Sequence, residues 1–134
     1  MPTTDIDRFS NDDVHEVGIE YDTPTDGLFQ VKWPNGNLRY EWYYKDGKQD
    51  GEAKGWNSDG DLKQIRTYKD GLVDGLRIEW YTNGQKMFEG IYKRGVRDGL
   101  YTSWYEDGVK ELEHIYKDGQ CIERNDRLER NRRR

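Results

Sequence analysis

A period of 24 residues runs through this chain without a slip, and it constrains the fold more than any other feature. Gly36, Gly60, Gly84 and Gly108 stand 24 apart, as do Tyr44, Tyr68, Tyr92 and Tyr116. A lysine follows each of those tyrosines (Lys45, Lys69, Lys93, Lys117), and Gly47, Gly71, Gly95 and Gly119 come next. The pairs Asp26-Gly27, Asp50-Gly51, Asp74-Gly75 and Asp98-Gly99 keep the same phase. Trp56, Trp80 and Trp104 form a further column; the first repeat has Lys32 there and Trp33 one place later. Six columns in phase define four units, 26–49, 50–73, 74–97 and 98–121. A period of this length marks an array of small supersecondary units that bury their faces only by stacking.

Each unit reads as a β-hairpin. Gly75 to Tyr81 is rich in strand formers and ends at Thr82-Asn83-Gly84, a turn signal. A second strand follows from Gln85 to Tyr92, then a looser connection through Gly95 to Gly99. No segment has the length and 3.6-residue apolar spacing of a helix. Four such hairpins predict an all-β fold, an elongated antiparallel meander of eight strands. Along the second strands one face carries Leu38, Tyr40, Trp42 and Tyr44 and their counterparts; the other carries Tyr43, Thr67, Ile91 and Ile115. Neither face is wholly apolar, which suits a single layer held by cross-strand neighbours. Residues 1–25 form an acidic segment in which 14–21 could supply a capping strand, and 122–134 read as a basic, disordered tail.

Composition agrees with a thin fold. Charged residues make up 37 % of the 134 and apolar ones only 32 %, yet there are five Trp, ten Tyr and three Phe. Disordered chains are poor in aromatics. The net charge of −5 is uneven: residues 1–25 carry −6, and the last fourteen carry +3. So acidic a body is a poor ligand for nucleic acid. No apolar run approaches the length of a transmembrane helix, and Met1 to Ser10 lacks the pattern of a signal peptide. With one cysteine, Cys121, a reduced, cytoplasmic setting is expected.

These columns resemble the MORN repeat. The pattern is Trp56-Asn-Ser-Asp-Gly60, then Tyr68-Lys-Asp-Gly71, then Asp74-Gly75, and its counterparts one period on. The chain is most similar to the variant form found in bacterial and viral proteins, including YwqK-family antitoxins. That resemblance covers residues 26–121 and implies a single-layer β-sheet used in protein–protein contact or scaffolding, in places linked to membrane lipids. Lys32 in the Trp column and Arg94 in place of the turn aspartate depart from the pattern.

Catalytic chemistry has no foothold in these residues. His15 and His114 are the two histidines, and no metal-ligand spacing is present. No metal and no cofactor are expected, and the chain reads as a non-enzyme. What exceeds the needs of solubility is the aromatic set, a candidate contact surface or structural ladder: Trp33, Trp56, Trp80, Trp104, Tyr81 and Tyr105. The leading expectation is a non-enzymatic interaction module holding another protein through this aromatic face, antitoxin-like in a specialised form. The alternative is peripheral binding to anionic lipid through Lys45, Lys69, Lys93, Lys117 and the terminal arginines, which the negative charge disfavours.

Overall fold

The computed structural model describes residues 26–125. They form strands β1 (Gly27–Lys32), β2 (Leu38–Lys45), β3 (Lys48–Gln49), β4 (Gly51–Trp56), β5 (Leu62–Lys69), β6 (Leu72–Trp80), β7 (Lys86–Lys93), β8 (Val96–Trp104), β9 (Lys110–Lys117) and β10 (Gln120–Asn125). All belong to one open sheet ordered β1-β2-β4-β5-β6-β7-β8-β9-β10, with the two-residue β3 also paired to β2. Every pairing is antiparallel. The expected single-layer meander of 24-residue repeats is therefore the fold. It has one rung more than the eight expected, because β10 pairs with β9 as far as Asn125. The first residues of the expected tail, 122–125, thus continue the sheet. The capping strand expected at 14–21 and the rest of the tail lie outside the described residues.

The two turns of each repeat exchange the roles the sequence suggests. The tight one is Lys45-Asp46-Gly47-Lys48 and its counterparts. Asp46, Asp70 and Asp118 take φ of 51° and Arg94 takes 50°, each followed by a glycine at positive φ. Two successive positive φ values make the two-residue hairpin turn that matches strand twist. The Asn/Asp-Gly turn is wider. Gly36 N–H donates to the Trp33 carbonyl at 2.9 Å and Trp33 N–H to the Asn37 carbonyl at 2.8 Å, closing a three-residue loop with Gly36 left-handed. The Asp-Gly column is not a turn at all but a bulge inside the long strands. Between β5 and β6 the register runs from Arg66↔Arg77 to Tyr68↔Val73, so β6 gains two residues around Gly75 (φ 119°). A side chain at Gly75 would also meet Thr67 at 3.3 Å.

These features tie each repeat to its own closing turn and, at the other edge, to its neighbour. The carboxylates of Asp26, Asp74 and Asp98 accept the N–H of Asp46, Arg94 and Asp118, 20 residues on, at 2.9–3.0 Å. Each aspartate thus bonds the tight turn that closes its own unit rather than its own backbone. At the opposite edge Asn35 and Asn83 donate to the carbonyls of Ser58 and Glu106.

Arg94 is the one non-Asp residue held left-handed in this column. That conformation costs an ordinary side chain about 1–2 kcal/mol, and Asp, which bonds locally, bears it best. Arg94→Asp should therefore stabilise the protein by about 1 kcal/mol. A raised urea midpoint with unchanged slope would show it; no rise would mean the turn relaxes around arginine.

One face of the sheet is closed. Phe29, Val31, Tyr40, Trp42, Tyr44, Ala53, Tyr68, Val73 and Tyr92 form the core, with Trp42 wholly buried. The Phe29 and Trp42 rings lie 4.9 Å apart, and Tyr40 and Tyr44 flank Trp42 at 6.2 and 6.4 Å. No second layer covers this face among the described residues. The rings of neighbouring strands cover one another here; we call this ring-lined face concave and the opposite one convex, after the coil that strand twist gives a single layer.

Candidate interaction surface

Toward the middle of the concave face, guanidinium groups replace aliphatic packing. Arg66 is fully buried, 3.9 Å from Glu79, and Arg77 lies 3.0 Å from the same carboxylate. Arg77 also donates to the Tyr92 hydroxyl at 3.1 Å and lies 4.8 Å over the Phe88 ring. Arg97, in a different column, makes the same kind of contact with the next tyrosine of the series, donating to Tyr116 at 3.0 Å and lying 4.4 Å over Tyr101. Flat guanidiniums stack on rings while their edges bond hydroxyls, so they fill an aromatic face without leaving their charge bare. Burial holds the Arg66 guanidinium below its ordinary range. Burial likewise pushes the Tyr101 phenol up, against the pull of Arg97. With its rings below one-tenth exposure at Tyr40, Trp42, Tyr44, Tyr68, Phe88 and Tyr92, the concave face offers little to a partner.

The candidate aromatic residues sit elsewhere, and all six are half-buried. Trp56, Trp80 and Trp104 end β4, β6 and β8, each just past a register shift. Lys86 places its ammonium 5.5 Å over the Trp104 ring. Trp33, Tyr81 and Tyr105 instead open the wide loops. Trp33 donates its indole N–H to the Trp56 carbonyl at 3.1 Å, and Tyr81 its hydroxyl to the Trp104 carbonyl at 2.8 Å. Trp33 is thus the counterpart of Tyr81, not a displaced member of the Trp column. Burial, with Glu111 and Glu106 nearby, pushes the Tyr81 phenol up. Trp33 and Tyr81 thus join the loops of successive repeats.

The convex face carries a different feature. Leu76 pairs with Ile91 and Leu100 with Ile115 across neighbouring strands, and the four side chains are 36–47 % exposed. Leu76, Ile91, Leu100 and Trp104 line one open cleft of about 220 Å³, rimmed by Glu89, Lys110 and Glu113. Lys86–Glu89 at 2.7 Å and Lys110–Glu113 at 3.1 Å neutralise that rim. Leu28 and Tyr43 repeat the row at β1 and β2, but Glu52 and Thr67 interrupt it in the second unit. Sequence reading had half of this row, in Ile91 and Ile115. Leu76 and Leu100 were legible too, as the residue after each Asp-Gly, but the bulge that swings them outward was not.

The turn lysines Lys45, Lys69, Lys93 and Lys117 are exposed along one edge, interleaved with Asp46, Asp70 and Asp118. Among the described residues, no group of His, Cys, Asp and Glu is placed to hold a metal ion.

A family model described as the MORN repeat variant matches the chain four times, at residues 25–46, 49–70, 73–94 and 97–118. No curated protein matches the chain.

Proposed function

The chain belongs to the MORN repeat variant family, a non-catalytic repeat module, and from that premise we propose that it is a non-enzymatic scaffold that holds another protein against its convex face. The observation that carries this reading is the row Leu76, Ile91, Leu100 and Ile115, left half-exposed beside Trp104. Contiguous apolar surface rimmed by balanced charge is what a soluble chain keeps for contact. In this reading the aromatic contact is Trp104 with its aliphatic neighbours, while Trp33 and Tyr81 act between loops. Masking a toxin is a specialised form of the same contact, set in a reduced, cytoplasmic environment.

Capture from the native host followed by mass spectrometry identifies the partner. The double change Ile91→Ser with Leu100→Ser should leave the β-spectrum intact and weaken capture more than tenfold, about 1.4 kcal/mol. Changing Lys45, Lys69, Lys93 and Lys117 together to Gln should leave capture unchanged. Salt-sensitive binding to anionic vesicles that disappears in the Gln protein would replace this reading with the membrane one.

A further inference from the structure

The edge formed by the tight turns is not uniform, and its irregularities fall in one place. After each turn glycine the column reads Lys48, Leu72, Val96, Gln120, so only the two middle turns carry aliphatic side chains. These are 50 % and 46 % exposed. Leu72 stacks on the next turn, its Cδ2 3.8 Å from where a side chain at Gly95 would begin. That next turn holds Arg94, the strained residue at φ 50° where the other three turns have aspartate. Lys69, Asp70, Leu72, Asp74, Lys93 and Arg94 line an open cleft of about 520 Å³. The Asp74 carboxylate is already engaged by the Arg94 N–H. Backbone strain kept against an easy alternative points to a job for the side chain. Arginine here turns the charge balance of the lining from acidic to basic, beside the exposed Leu72.

We propose that this cleft binds an acidic peptide with an apolar side chain between its carboxylates, and that its occupant is the chain's own segment 1–25. That segment carries a net charge of −6 and sets Ile6 between Asp5 and Asp7, with Phe9 two residues after Asp7 and Val14 next to Asp13. Its tether is well placed. Asp26 bonds the first tight turn as Asp74 bonds the third, so both lie on the same edge. Four strand spacings separate them, about 19 Å. About a dozen residues have that reach, which leaves roughly as many to dock. This docking goes beyond the convex-face contact and does not depend on it.

Zero-length carboxylate–amine crosslinking of the full chain, followed by peptide mapping of the monomer, tests the proposal. Lys69 and Lys93 should join Asp5, Asp7, Asp12 or Asp13 more than Lys45 and Lys117 do. Arg94→Asp should raise the melting temperature while cutting those crosslinks several-fold, so stability and docking move in opposite directions. Leu72→Ser should cut them without the gain in stability. Crosslinks spread over the four lysines by tether distance alone, with Lys45 foremost, would overturn the proposal. So would crosslinks that vanish on dilution, or a pattern that Arg94→Asp leaves unchanged. Ile91→Ser with Leu100→Ser should keep the crosslinks while losing partner capture, which separates this contact from the convex-face one.

Discussion

Replacing Trp42 with alanine should destabilise the fold by about 3–5 kcal/mol, the range for removing a large aromatic from a packed site. Trp42 has no exposed surface and is ringed by Phe29, Tyr40 and Tyr44. In a single layer no second sheet can move in to fill the hole. A loss of that size is a large share of the roughly 5–15 kcal/mol that holds a typical domain. Trp80→Ala, at a half-buried strand end, should cost distinctly less. Urea denaturation of the two variants checks the order; equal losses would mean that the concave face is open to water.

Removing the carboxylate of Glu79 should be about as severe. Arg66 and Arg77 both reach it, and their side chains are 0 % and 10 % exposed. Glu79→Ala leaves two buried guanidiniums without that counter-charge, and breaking a buried pair on one side costs about 3–5 kcal/mol. Replacing all three charges by apolar residues of similar volume, as in Arg66→Met with Arg77→Met and Glu79→Leu, should restore most of the stability, because the desolvation cost goes with the charges. A single Glu79→Ala protein as stable as the parent would place this cluster in water.

The architecture was legible because an array repeats its evidence. Tyr44, Tyr68, Tyr92 and Tyr116 report the same strand four times, so chance resemblance is averaged away. The turn types were less legible. Asn83-Gly84 and Arg94-Gly95 both end in glycine, and which of them is tight depends on whether the residue before glycine also turns left-handed. Arg94 hides the signal that Asp46, Asp70 and Asp118 give. The aspartates before Gly27, Gly75 and Gly99 misled in a related way, since a carboxylate that bonds a turn 20 residues away looks in sequence like one that bonds its own. The last rung, β10, was missed because Cys121-Ile122-Glu123 lacks the Asp-Gly pair, though its strand needs only β9 beside it.

The site was harder to read than the fold. Strand alternation puts Tyr40, Trp42 and Tyr44 on one face, but whether a single-layer face is open or closed depends on coiling, which alternation does not encode. Arg77 looks like a solvated charge on such a face until the rings of Phe88 and Tyr92 are seen around it. Tyr81 and Tyr105 look like free contact residues until their places at the mouths of the wide loops are known.

Hydroxyl-radical footprinting of the free protein tests most directly the claim that one face is closed and the other offered. Tyr40, Trp42, Tyr68 and Tyr92 should be strongly protected, while Tyr43 labels readily, as do Leu28, Ile91 and Leu100 despite the lower intrinsic reactivity of aliphatic side chains. Labelling of Trp42 and Tyr68 at the rate of Tyr43 would contradict the account, and would return the aromatic face to the surface that meets a partner.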